Sequence, residues 1–308
     1  MALKDKIPLG MSLPHRSPDT IAMTTIATVA RRAEELGFSD LWVTENTLTE
    51  DTCFDPVVIL TYAAAVTSRI RVGASVVVLP IHSPFTVAHQ WATLDYASGG
   101  RAILAVGLGR EHHYRDFQIP VAGRVKRFRE EVELIKALWS QDTVSYRGEF
   151  YQVENVSLGL RPARKPRPPL WMGVGHPNAV RRAARISDGW MGSGGSRIAD
   201  FKASVPILKQ ALETSGRDPA SFPISKRVFL AADERPAVAR AELNRWFTEV
   251  YHDPDGTDGS GIHGTPEHVA ERLEELVASG ANHLLLNPVS RFPEQLEAVA
   301  ELTGLKTG

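Results

Sequence analysis

Residues 69–110 read RIRVGASVVVLPIHSPFTVAHQWATLDYASGGRAILAVGLGR, and the reading of this stretch decides the fold. From Val72 to Leu79 the chain is almost unbroken apolar sequence rich in β-branched residues, which suits a strand covered on both faces, as in a parallel sheet. Pro80 and Pro84 end it. Phe85 to Tyr96 has helical spacing, with Phe85, Ala88, Trp91, Ala92 and Tyr96 expected on one side, and Gly99-Gly100 stops the helix. Ala102 to Val106 is a second buried strand that runs into Gly107-Leu108-Gly109. Strand, amphipathic helix, strand is a βαβ unit.

The same rhythm extends outward in both directions. Upstream, Ile7 to Leu13 and Phe38 to Thr44 read as strands, separated by a helix from Thr20 to Leu36 that Asp19 is placed to cap and Gly37 to end. Asp55-Pro56 opens a helix through Thr67. Downstream, a polar loop over 110–123 leads to a helix from Arg124 to Trp139, then to a hairpin around Arg147-Gly148 and a proline-rich connector at 161–169. Leu170 to Val174, Gly189 to Gly192, Ser225 to Ala231 and His283 to Asn287 complete eight strands. Helices follow from Pro177, near Ala199, from Pro236, from Pro266 behind a Thr265 cap, and from Pro293, with 252–264 expected as a mobile loop. Eight short apolar strands alternating with helices argue for an α/β fold, a (β/α)8 TIM barrel with insertion segments, forming one domain over residues 1–308. The rival, a doubly wound sheet with a dinucleotide site at Gly107-x-Gly109, lacks its third glycine, because position 112 is His112.

Composition narrows function by exclusion. The chain has 308 residues, 43% of them hydrophobic and 23% charged, the profile of an ordinary globular protein. A net charge of -1 gives no general attraction to nucleic acid or an anionic membrane. The N-terminus has no long apolar core of a secretory signal and no run approaches the length of a membrane helix, so a cytoplasmic enzyme is expected. The one cysteine, Cys53, allows no intrachain disulfide and reads as a partly buried small apolar residue. No GxSxG, P-loop or HExxH spacing appears, and no metal is expected.

In a TIM barrel the chemistry sits at the C-terminal ends of the strands. That rule selects His15, Thr44-Glu45-Asn46, the segment from Ser75 to His82, Gly107 to His113, Gly173 to His176, Gly192 to Ser196, and Asn287. Gly173-Val174-Gly175-His176-Pro177 is the best binding signal: glycines admit a ligand close to the backbone, and the helix opened by Pro177 offers amides to a phosphate. His82, His112 and His113 are the candidates for proton transfer on the substrate side. No strand-end lysine suggests a Schiff-base lyase. A polar pocket with glycine turns and no obvious nucleophile fits an enzyme whose cofactor carries the hard chemistry.

Several stretches in order resemble the bacterial-luciferase-like family of flavin- and deazaflavin-dependent oxidoreductases. They are FSDLWVTEN (38–46), RIRVGASVVVLP (69–80), HQWATLDYASGGRAILAVGLGR (89–110), LIKALW (134–139), YRGEFY (146–151), PPLWMGVGHPNAVRRAARISDGW (168–190) and GTPEHVAERLEELVASGANHLLL (264–286). The resemblance implies a barrel with one cofactor at its mouth and a non-prolyl cis peptide at a bulge in the third strand, Ser75–Val76 here. By the same match Gly107, Leu108 and Gly109 lie beside the cofactor ring, and Gly173, Val174, Gly175 and His176 hold its phosphate. The strand end Thr44-Glu45-Asn46 approaches the ring. Many relatives have histidine where this chain has Asn46, so a proton donor on the second strand does not carry over. The implied cofactor is coenzyme F420, with hydride transfer to or from an organic small molecule. FMN with monooxygenation is the alternative, and a flavin-binding barrel without activity is the third. The loops at 110–123 and 251–264 are expected to shape the substrate pocket, and a homodimer is expected from the resemblance alone.

Overall fold

The computed structural model describes residues 1–306. Eight parallel strands close into a ring: β1 (Leu9–Ser12), β2 (Asp40–Val43), β3 (Arg71–Val78), β4 (Ala102–Gly107), β5 (Leu170–Gly173), β6 (Gly189–Gly192), β7 (Ile224–Ala232) and β8 (His283–Pro288). Each pairs with its neighbours in sequence, and β8 returns to β1 through Leu9 opposite Leu284. This is the expected TIM barrel. The outer layer includes α1 (Met23–Leu36), α2 (Pro56–Ala65), α3 (Pro84–Ala97), α4 (Arg124–Ser140), α5 (Pro177–Ile186), α6 (Ile198–Thr214), α7 (Pro236–Glu249), α8 (Pro266–Ala278) and α9 (Phe292–Leu302).

The lower barrel is filled by two indoles. Trp42 and Trp171 lie with ring centroids 5.3 Å apart, both nearly inaccessible to solvent. Glycines opposite them make the space: a Cβ on Gly73 would come within 2.7 Å of Trp42, and one on Gly189 within 2.7 Å of the Trp171 nitrogen. Burying side chains of this size stabilises the barrel by about 1.5–3 kcal/mol each. Asp40 takes up the polar remainder, receiving the Trp42 indole N–H, His283 Nε2 at 3.0 Å and Arg71 Nη2 at 2.7 Å. Burial alone would raise the Asp40 pKa, but His283 and Arg71 outweigh it and keep the carboxyl ionised, well below the usual range. Above this packed floor a cleft opens at the mouth of the barrel.

Several local expectations need correction. Asp19 does not cap α1: the N-cap is Ala22, without a side-chain bond, and Asp19 pairs with Arg245 at 2.8 Å. Phe85 and Tyr96 are 36% and 61% exposed, so the buried face of α3 is built from Val87, Ala88, Trp91 and Ala92 instead. The loop after β4 contains a short helix, Glu111–Asp116. The segment 252–264 is ordered as well: Gly256–Gly259 is a helical turn, and Gly261–Gly264 adds a parallel strand outside Phe229–Ala232. The hairpin is as expected, Val144–Arg147 with Gln152–Val156. An unexpected two-residue ladder joins Arg16–Ser17 to Thr52–Cys53 over the mouth of β1 and β2.

Candidate functional site

A cleft of about 720 Å³ opens at the C-terminal ends of the strands. It gathers Thr44, Glu45 and Asn46 after β2, Ser75 and Val76 on β3, Gly107, Leu108 and Gly109 after β4, and Gly173, Val174, Gly175 and His176 after β5. His112 and His113 line it too, from the loop after β4. His82 does not reach the wall; it stands behind Glu45, its Nε2 2.5 Å from Glu45 Oε1. A concavity of similar volume between α4 and α5 lies outside the barrel and contains none of these residues.

Strand β3 changes shape at the cleft. The Ser75–Val76 peptide is cis, and the register with β4 slips between Ser75 and Val77. Val76 thereby turns into the cleft, where two glycines leave room for it. A Cβ on Gly107 would sit 2.7 Å from Val76 Cγ2, and a Cβ on Gly173 would also strike the Val76 side chain. Gly109 has φ +74, a conformation that suits glycine, and its tight turn faces Val78. The result is a flat apolar shelf made of Val76 and bare backbone.

Next to the shelf, α5 begins. His176 is its N-cap, and Nδ1 accepts the Asn178 N–H at 3.2 Å. Pro177 has no N–H to offer. An anion here meets the backbone of Gly175 and His176 and the positive end of the α5 dipole, and it competes with the His176 ring for Asn178. Behind Gly175 there is open space.

The histidines differ in state. His15 is buried: its Nε2 accepts the Thr44 N–H at 2.8 Å, which puts the proton on Nδ1, donated to Leu13 O at 2.7 Å. Burial, aided by Arg227 and Arg16 nearby, lowers its pKa to about 3, so it is a neutral strut between β1 and β2. His113 stacks on His112 at 4.0 Å and accepts the Arg110 N–H at 3.0 Å; burial and His112 lower its pKa. His82 is the opposite case. Burial opposes its charge, but the hydrogen bond and charge of Glu45 prevail and raise its pKa.

Sequence reasoning missed part of the wall: Arg16, Met191 and Arg227 also line the cleft, together with Arg110 and Tyr251 from segments expected there. Arg16 is held by both Asp51 oxygens, at 2.5 and 3.0 Å, and lies over the Tyr251 ring at 5.4 Å. Arg110 belongs to the first of the two loops expected to shape the pocket, and Tyr251 and His252 to the second. Arg227, inside β7, carried no signal because a charged residue within an apolar strand reads as an edge or an exception rather than as a wall.

The luciferase-like monooxygenase family profile matches residues 7–259. The chain belongs to the luciferase-like monooxygenase family. As a member it is an oxidoreductase. A luciferase-like relative, the F420-dependent glucose-6-phosphate dehydrogenase of Kineococcus radiotolerans, is 29% identical over 246 residues, 75% of this chain and 70% of that protein. The FMNH2-dependent dimethylsulfone monooxygenase of Pseudomonas putida is 27% identical over 272 residues, covering 76% and 73% of the two chains. Among solved structures, the coenzyme F420-dependent tetrahydromethanopterin reductase of Methanopyrus kandleri superposes with a TM-score of 0.81 over 96% of this chain and 98% of that one, at 21% identity, a likeness of fold. Both cofactor types therefore occur among luciferase-like relatives of this chain. No helix among the described residues is long and apolar enough to cross a membrane.

Proposed function

We propose that this enzyme transfers a hydride between coenzyme F420 and a small organic substrate. The observation that carries the reading is the shelf itself: Val76, turned inward at the β3 bulge, with Gly107 and Gly173 too close to it to tolerate side chains. Such a surface fits a planar tricyclic ring stacked on backbone, with its phosphate at the start of α5. When bound, F420 supplies or accepts a hydride at one ring carbon.

The chain's own residues do the rest. In this reading Ser75, Val76, Gly107, Leu108 and Gly109 bear the ring, while Gly173, Val174, Gly175 and His176 receive the phosphate. Thr44, Glu45 and Asn46 close the edge of the ring nearest β2. His112 and His113 stand where a proton can pass to or from the substrate oxygen. His113, with its lowered pKa and its Nδ1 taken by the Arg110 N–H, is neutral with its proton on Nε2, from which it can donate a hydrogen bond to the substrate oxygen. His82 acts through Glu45 and is a positioning residue. We propose a cytoplasmic enzyme of one-domain chains and, on the family resemblance, a homodimer.

FMN is the second reading, supported by the FMNH2-dependent relative. Absorbance titration of the purified protein with F420 and with FMN decides between them. Tighter binding of F420 by tenfold or more, with reduction of the bound cofactor by a substrate in the absence of oxygen, is the expected result. Tighter binding of FMN overturns it, and turnover of neither leaves a binding barrel without activity.

A further inference from the structure

Opposite the shelf, the wall of the cleft carries a cation for which the described residues provide no carboxylate partner. In the ring of eight strands β3 and β7 are four apart in either direction, so they face each other across the mouth. Arg227 lies on β7, 5% exposed, and lines the cleft. Its Nε and Nη2 both donate to Asn287 Oδ1, at 2.9 and 2.6 Å, and the guanidinium stacks over Phe229 at 4.6 Å from the ring centroid. The Tyr251 hydroxyl is its other polar neighbour. These contacts occupy at most three of the five N–H donors that a guanidinium carries. No carboxylate among the described residues forms an ion pair with it, and neighbouring Arg16 is itself a cation engaged with Asp51.

A buried charge without a partner is costly, and arginine cannot relieve the cost by losing its proton. The contrast with Lys226, one residue earlier, is direct. Lys226 turns outward to Ser196 O at 3.0 Å and Ser196 Oγ at 3.2 Å, and burial brings its pKa down to about 7, so it can discharge near neutrality. Arg227 stays charged, keeps donors without a partner, and lines the same cleft that Val76 lines from the β3 side. A planar fork in that position matches the two oxygens of a carboxylate or phosphate.

From this we infer that the substrate carries an oxyanion, carboxylate or phosphate, which seats on Arg227 while its reacting carbon lies over the shelf. The inference rests on the reading that the cofactor ring occupies the β3 side. Arg227 is then the specificity-determining residue, with Asn287 and Phe229 fixing the plane of its guanidinium.

The test uses the full chain saturated with its cofactor in low-salt buffer, with benzoate, inorganic phosphate and benzamide as probes, read by calorimetry. One of the two anions binds at least tenfold more tightly than benzamide, and the preferred anion identifies carboxylate or phosphate. Arg227→Gln abolishes that preference, and Arg227→Lys, which keeps the charge but not the fork, restores part of it. Cofactor affinity, measured separately by absorbance, changes less than twofold in Arg227→Lys. Equal binding of benzoate, phosphate and benzamide, or anion binding by Arg227→Gln equal to that of the wild type, overturns the inference. Should the wild type bind neither F420 nor FMN yet keep an Arg227-dependent anion site, the cofactor reading fails and the anion site stands.

Discussion

Glu45 Oε1 lies 2.5 Å from His82 Nε2, and the other oxygen of the same carboxylate accepts the Val78 N–H at 2.6 Å. One nearly buried side chain from the end of β2 thus pins both the last turn of β3 and the segment behind it. The cleft sees Glu45, and Glu45 is oriented by His82.

Glu45→Gln separates charge from geometry. The amide can still accept the Val78 N–H, but it no longer favours a charged imidazole. Since Glu45 overcomes burial to raise the His82 pKa, the substitution lowers it, as an NMR titration of the imidazole will show. The sign for stability follows. A histidine whose folded pKa is raised stabilises the fold fully below its unfolded pKa of about 6.5, and that stabilisation is lost as pH rises through the folded pKa. In denaturant unfolding across that range, the wild-type advantage over Glu45→Gln therefore shrinks as pH increases. An unchanged imidazole pKa would contradict the pairing.

The shelf can be tested with one methyl group. Gly173→Ala drives a Cβ into Val76, which must shift the bulge, whereas Gly175→Ala points its Cβ into open space. Overpacking of this kind costs about 1–3 kcal/mol. Gly173→Ala is expected to weaken cofactor binding at least tenfold by absorbance titration, with a folded circular dichroism spectrum. Gly175→Ala keeps stability within about 0.5 kcal/mol of wild type by denaturant unfolding. Equal loss of stability in both variants would mean that backbone freedom, not contact with Val76, is what these glycines supply.

The barrel was legible because its strands are nearly continuous apolar runs and its helices carry stops such as Gly37 and caps such as Asp55 and Thr265, which do accept the expected N–H groups. The cleft residues after β2, β3, β4 and β5 were legible by position, since strand ends of a parallel barrel converge on one mouth. Phe85 and Tyr96 misled because aromatic residues at helical spacing mimic a buried face, while small residues, Ala88 and Ala92, actually allow α3 to approach the barrel. Arg16 is brought to the site by a tertiary ladder, a contact that leaves no local pattern, whereas Tyr251 comes from a loop expected at the pocket in which no single residue stood out. Arg227 was invisible for a different reason: its environment, not its spacing, sets it apart.

Cys53 is expected to be inert. It is half-buried beside the mouth, and burial pushes its pKa up to about 11, so little thiolate exists at neutral pH. Iodoacetamide should label it at least tenfold more slowly in the native protein than in the guanidinium-unfolded chain at pH 7.5. Cys53→Ser should retain turnover. Rapid native labelling together with loss of turnover in the serine variant would make the thiol a participant.

Glu131 gives the clearest dependence on pH. It sits on α4 with no solvent exposure; Tyr151 Oη donates to its Oε1 at 2.8 Å, and its Oε2 has no partner. Burial pushes its pKa up to about 7, against an unfolded value of about 4.3. Between those two pH values the folded chain holds the proton that the unfolded chain has released, so this residue makes stability fall as pH rises, with the full penalty present above pH 7. Glu131→Gln keeps an acceptor for Tyr151 and cannot ionise. Its stability relative to wild type should therefore improve by about 1–3 kcal/mol between pH 5 and pH 8, the size of a one- to two-unit shift. Denaturant midpoints measured at the two pH values check this, and a difference that is flat with pH would show that Glu131 is ionised in the fold and finds a counter-charge there.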